Sequence, residues 1–163
     1  MVVARACPWA NRAIIVRELL GLHDVISLGT PGPTHDRRSW TFDLDPGEKD
    51  PVLGIHRLQE AYFNRFPDYP KGITVPAVVE VDSRQVVTND FPQITLDLSG
   101  EWAEHHREGA PDLYPEHLRA EIDEVNAVVF RDVNNGVYRC DPAKPQRYLV
   151  GDTITEADVR LFT

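Results

Sequence analysis

Cys7 lies in the pentapeptide Ala6-Cys7-Pro8-Trp9-Ala10, directly after the short apolar run Val2-Val3-Ala4 and before a largely apolar stretch, 13–22. That order predicts a strand, a tight turn and the start of a helix, with the thiol at the turn. A cysteine in that place meets the free N–H groups and partial positive charge of a helix N-terminus, which favour thiolate, the nucleophilic form. Pro8 suits the first helical position, where its missing N–H costs nothing. The chemistry on offer is attack on sulfur by an activated thiol. The alternative is a buried, inert cysteine, the commoner fate of that residue type.

The elements that would position this thiol follow along the chain. Val25-Ile26-Ser27-Leu28 reads as a short strand. Residues 29–50, rich in Pro, Gly, Asp and Arg, read as a long loop with one aromatic island, Trp40-Thr41-Phe42. A helix is expected over 52–66, where Ile55, Leu58, Ala61 and Tyr62 recur at helical spacing. The runs 74–81 and 85–88 read as strands joined by a hairpin turn at Asp82-Ser83-Arg84, and 92–98 as a helix capped by Asp90 or Asn89. Residues 99–115 are polar and broken by Gly100, Gly109, Pro111 and Pro115, and His105-His106 within them reads as solvated rather than metal-bound. Leu118, Ile122, Val125 and Val129 mark one face of an amphipathic helix that Asn134-Asn135-Gly136 would end in left-handed geometry. Thr155 and Asp158 have capping-box spacing, flanked by Ile154 and Val159 as a hydrophobic staple, so a further helix starts there.

This order of elements is that of a thioredoxin-type fold, with the cysteine turn after the first strand. Val75-Pro76 opens the third strand, and a proline there reads either as an ordinary strand-edge residue or as a cis bond. In a thioredoxin-type fold that proline faces the cysteine turn. Val75 then offers its backbone N–H and C=O to an incoming thiol peptide as an added strand would take them.

Composition narrows the setting. Of the 163 residues 42% are hydrophobic and 26% charged, which suits a globular protein of one ordinary domain or two small ones. A net charge of -9 argues against nucleic acid and anionic membrane surfaces as partners. Cys7 and Cys140, far apart, make no disulfide framework, and no signal peptide or long apolar run is visible, so the expected setting is cytoplasmic. No metal is expected.

The blocks Ala6-Cys7-Pro8-Trp9-Ala10-Asn11-Arg12, Ser39-Trp40-Thr41-Phe42, Thr74-Val75-Pro76, Asn134-Asn135-Gly136-Val137-Tyr138 and Thr155-Glu156-Ala157-Asp158-Val159-Arg160-Leu161-Phe162 give the chain its resemblance to the glutathionyl-hydroquinone reductases, the Xi-class and omega-like glutathione transferases. The first and fourth are specific together; the Thr-Glu-Ala-Asp segment is shared with most glutathione transferases. The resemblance implies an α/β thioredoxin-like domain over 1–98, a linker over 99–114 and a partial all-α C-terminal domain over 115–163. It implies a thiol-dependent reductase or transferase that takes a glutathionyl group, or another low-molecular-weight thiol, off a hydroquinone conjugate through a mixed disulfide. Its partners would be a small-molecule thiol and a quinone conjugate, with a homodimer as the compatible assembly. Cys7 and Tyr138 would be catalytic, Tyr138 steadying the aromatic leaving oxygen. Trp40, Val75, Pro76, Asn89 and Asp90 would bind the thiol. Ala10 stands where a dithiol enzyme carries its resolving cysteine, which fits a monothiol route. Plain packing roles remain open for Trp40 and Tyr138.

Two departures stand out. The family shows Asn-Glu-Ser where this chain has Asn89-Asp90-Phe91, and Phe91 cannot stand in for a hydroxyl that receives the γ-glutamyl carboxylate. The expectation is a thiol other than glutathione, mycothiol for example. The chain is also short against the family, before its cysteine motif, between the Asn-Asn-Gly-Val-Tyr block and Arg147-Tyr148-Leu149, and after Thr163, as in a fragment with an internal deletion. Besides the reductase, two readings stay open: a non-catalytic, binding-only fragment and a glutaredoxin-like deglutathionylase that needs the first domain alone.

Overall fold

In the computed structural model the described residues are 1–33 and 35–136. The chain divides into two compact units, Met1–Tyr114 and Pro115–Thr163. Tyr138, Cys140 and the segment from Thr155 onward lie outside the described residues.

The first unit is built around Val2. Its backbone exchanges hydrogen bonds with Ala77 on one side, antiparallel (2.7 and 3.0 Å). On the other side it runs parallel to Gly29, with bonds of 2.9 Å from Val3 N–H to Gly29 and from Gly29 N–H to Met1. β3 (Val78–Val79) pairs antiparallel with β4 (Val86–Thr88), which extends the sheet beyond Ala77. Helix α1 (Pro8–Leu20) follows the Val2 segment with Cys7 as its N-cap and Pro8 in the first turn, and Ala10, Ala13, Arg17 and Leu20 form its buried stripe. It packs against α3 (Phe91–Gly100), whose Ile94 and Leu98 are buried. Helix α2 (Leu58–Arg65) contributes Leu58, Ala61 and Tyr62 to the core. The chain order strand, helix, strand, helix, strand, strand, helix is therefore thioredoxin-like, with the sheet reduced to short pairings.

Three expectations differ from the structure in detail. The β-branched run 25–28 is not a strand; residues 21–25 are turns and pairing begins only at Gly29. The buried Arg17 side chain holds this segment instead, donating to the Ile26 carbonyl at 2.6 Å and to the His23 carbonyl at 3.3 Å. Gly21 ends α1 at φ +72°, and a Cβ there would strike the Arg107 side chain at 2.6 Å, so glycine is required twice over. The loop 29–50 contains a hairpin, β1 (His35–Asp36) with β2 (Ser39–Trp40). The helix expected from residue 52 starts only at Leu58. Asp50 Oδ1 accepts from Val52 N–H (3.0 Å) and Leu53 N–H (2.7 Å), which commits that stretch to a turn, and the Glu60 carboxylate then caps α2 through the N–H of Arg57 at 2.9 Å.

Residues 99–114 lie within the first unit. Arg107 N–H donates to the Leu20 carbonyl at 2.8 Å, and its Nε to that of Leu19 at 3.0 Å. His106 is bonded rather than solvated, its Nε2 lying 2.8 Å from the Leu98 carbonyl, because the chain turns back over the end of α3. The expected cap is Asp90, which accepts from Gln93 N–H at 3.1 Å.

In the second unit, α4 (Arg119–Val129) runs into a π-helical turn, Phe130–Asn134. Asn135 is right-handed (φ −89°), not left-handed as expected; its side-chain amide donates to the Phe130 carbonyl at 2.8 Å and closes the turn without a left-handed residue. No helix among the described residues is long and apolar enough to cross a membrane.

Candidate active site

Cys7 sits half-buried where α1 begins. Its backbone is extended (φ −99°, ψ 110°), so its carbonyl accepts from Ala10 and Asn11 N–H, both at 3.1 Å, while the side chain turns away from the helix. The thiol points at the third-strand segment and donates to the Val75 carbonyl at 3.6 Å. The Val75–Pro76 peptide bond is cis, and Pro76 is fully buried. The cysteine turn and the proline turn, 68 residues apart in the chain, thus meet as the thioredoxin-type reading requires.

Val75 is held by its neighbour. Tyr62, on the buried face of α2, donates its hydroxyl to the Thr74 carbonyl at 2.8 Å, and Asn89 donates its side-chain amide to the Thr74 hydroxyl at 2.8 Å. Thr74 is clamped from two elements, which fixes the register of Val75 against Cys7. Asn89, expected at the thiol's backbone, lines the cleft and also makes this clamp. Tyr62 is readable in the sequence only as part of a helical stripe, since nothing local signals that its hydroxyl crosses to residue 74.

A cleft of about 840 Å3 opens over Cys7 and Val75. Trp40 forms one wall, its ring edge-on to His35 at 4.7 Å, and Gln59 and Phe63 come from α2. Phe91 also lines the cleft. It packs on Trp9 with ring centroids 4.6 Å apart, and the Arg12 guanidinium lies over both rings at 5.0 and 5.4 Å. Burial lowers the Arg12 pKa, though a guanidinium stays charged. Asp90 is exposed and spends its carboxylate on the α3 N-terminus. The rim carries Arg37, Arg38 and Lys71, a basic cluster on an acidic chain that sequence reading passes over as loop. Asp36 draws Arg57 (2.8 Å) and Arg38 (3.8 Å) to itself, and the Arg38 N–H and the Arg57 side chain hold its carboxyl below the ordinary range.

The Tyr62 clamp gives a pH-dependent expectation. Burial raises the Tyr62 pKa above its ordinary value of 10.0, its hydrogen bond to Thr74 only partly opposing this. The folded state therefore keeps a proton that the unfolded chain loses first, and this contribution to stability is present below about pH 10 and lost as pH rises through the folded pKa. Tyr62→Phe should cost about 1 kcal/mol at neutral pH through the lost hydrogen bond. It should also flatten the loss of stability above about pH 10 that the parent protein is expected to show. Urea unfolding across that range measures both.

Comparison with known proteins agrees with this geometry. Residues 6–99 match the model of the family described as glutathione S-transferase, N-terminal domain. A glutathione transferase from Gordonia bronchialis of known structure is 63% identical, aligned over 99% of this chain and 58% of its own, with a TM-score of 0.85. The glutathionyl-hydroquinone reductase YqjG of Escherichia coli is 32% identical over 99% of this chain and 57% of its own length. Its glutathione-bound structure superposes with a TM-score of 0.78 over 99% of this chain and 60% of that one. The chain spans about three fifths of the length of the curated relatives it matches.

Proposed function

Because the chain belongs to the glutathione S-transferase family, we propose that it is a thiol-dependent reductase that removes a glutathionyl group, or another low-molecular-weight thiol, from hydroquinone conjugates through a mixed disulfide on Cys7. The observation that carries the reading is the Cys7 thiol at the helix N-terminus, 3.6 Å from the Val75 carbonyl on the floor of an open cleft. Kinship with the E. coli glutathionyl-hydroquinone reductase supports the substrate class.

In this mechanism the Cys7 thiolate attacks the conjugate's sulfur. The Sγ–S bond forms and the ring C–S bond breaks; the electron pair stays with the ring carbon, which takes up a proton as free hydroquinone. A second thiolate then attacks the mixed disulfide on the conjugate-derived sulfur, forming a symmetric disulfide and returning Cys7 as thiolate. The ring is reduced and two thiols are oxidised, so the electrons balance within the substrates themselves. Val75 pairs its backbone with the thiol's cysteinyl unit, and Trp40 with Pro76 frames it. Asn89 and Asp90 lie at the α3 end, and the family resemblance gives Tyr138, outside the described residues, the role of donating its hydroxyl to the phenolic oxygen of the departing ring. The chemistry suits a reducing, cytoplasmic setting.

Quantifying hydroquinone after mixing the protein with glutathionyl-hydroquinone tests the reading. Without added thiol, one hydroquinone per protein is expected, and continuous release once thiol is supplied. The absence of any release would contradict it. Cys7, Val75 and Trp40 all lie in the first unit, which favours a second reading, a deglutathionylase. That activity would regenerate thiols from mixed disulfides yet release no hydroquinone.

A further inference from the structure

The two ends of the cleft differ in the chemistry they accept. A peptide pairing antiparallel with Val75 runs opposite to the chain, so its carboxyl end lies back along Ile73, Gly72 and Lys71 and its amino end points the other way. At that other end stands the N-terminus of α3, ordinarily a place that receives a carboxylate through its free N–H groups. Here the three positions after Phe91 are closed to one. Asp90 places its own carboxylate on the Gln93 N–H, Pro92 has no N–H to give, and the Ile94 N–H is taken by the Asp90 carbonyl at 2.8 Å. Phe91 and Trp9 present aromatic surface beside it. An anion in that place would face the Asp90 charge and an apolar wall together.

The carboxyl end is the reverse. Lys71 lines the cleft there, Arg37 lines the same cleft, and among the described residues neither forms an ion pair. Gln59 and Arg38 add further N–H donors, and Trp40 gives a flat face. At about 840 Å3 the cleft is larger than a cysteinyl unit needs and falls in the range that encloses drug-sized ligands.

Resting on the mixed-disulfide reading of Cys7, we propose that the thiol co-substrate is a cysteinyl thiol whose amino end carries a small neutral acyl cap instead of a γ-glutamyl group. Its carboxyl end is extended by a bulky, acceptor-rich polar group that lies against Arg37, Lys71 and Trp40. The cap packs on Phe91 and Trp9; the extension takes the donors at the rim.

The test reacts the full chain with three symmetric disulfides and follows Cys7 mixed-disulfide formation by intact mass. The probes are glutathione disulfide, the disulfide of N-acetylcysteine amide-linked to glucosamine, and bis(2-hydroxyethyl) disulfide as a measure of intrinsic thiol reactivity. The acylated sugar thiol should react about tenfold faster than glutathione after normalisation, the scale of one well-placed hydrogen bond together with one avoided charge repulsion. Phe91→Ser should raise the glutathione rate several-fold relative to the small-disulfide rate of the same variant. Arg37→Gln with Lys71→Gln should slow both the acylated sugar thiol and glutathione, whose glycyl carboxylate lies at the same end, relative to the small disulfide. Glutathione reacting as fast as, or faster than, the acylated thiol on the parent protein would overturn the proposal while leaving the mixed-disulfide reading standing. Labelling of Cys7 by none of the three would overturn both.

Discussion

Cys7→Ser should abolish hydroquinone release, with a loss of at least about three orders of magnitude, because a serine hydroxyl does not ionise at neutral pH and forms no disulfide. The substitution is nearly isosteric and the side chain makes no helix-capping bond, so the fold should be retained. Thermal unfolding of the variant within a few degrees of the parent, alongside lost release, separates chemistry from stability. An equally active Cys7→Ser protein would remove the thiol from the mechanism.

Phe42→Ala should be the most damaging substitution for the fold. Phe42 is completely buried, and its backbone ties to His56 and Asp45 at 3.0 Å each. Truncating a fully buried phenylalanine costs about 3–5 kcal/mol, a large share of the roughly 5–15 kcal/mol that holds a small domain together. Trp40 lies two residues upstream on β2 and takes its position from this anchor. Reactivity toward a bulky thiol disulfide should therefore fall further than reactivity toward bis(2-hydroxyethyl) disulfide. Urea unfolding followed by tryptophan fluorescence gives the first quantity and intact mass the second. A loss below about 1 kcal/mol would show that the pocket around residue 42 collapses onto the cavity.

The parts of this site that are legible in the sequence are those set by local chemistry. Cys7-Pro8 announces a helix start because proline is suited to the first turn, and the thiol is found there. Asp90 announces a cap through its short carboxylate. Val75-Pro76 is legible as two alternatives, and the cis form is the one present. What stays hidden depends on partners distant in the chain. The 25–28 run has strand composition, yet a buried Arg17 takes its Ile26 carbonyl in place of a ladder partner. The apolar spacing from residue 52 suggests helix, but one carboxylate, Asp50, satisfies the local N–H groups in a turn first. The Tyr62–Thr74–Asn89 clamp joins three elements and leaves no periodic trace. The basic rim of the cleft comes from residues scattered between 37 and 71, in segments whose composition reads only as loop.

The central claim is that Cys7 takes the thiol from the conjugate onto itself. The most direct measurement is the mass of the protein, with peptide mapping, after one equivalent of glutathionyl-hydroquinone and no other thiol. The expected result is an added mass of one glutathione less two hydrogens, carried by the peptide that contains Cys7 and reversed by dithiothreitol. An unmodified protein, or an adduct confined to Cys140, would contradict it.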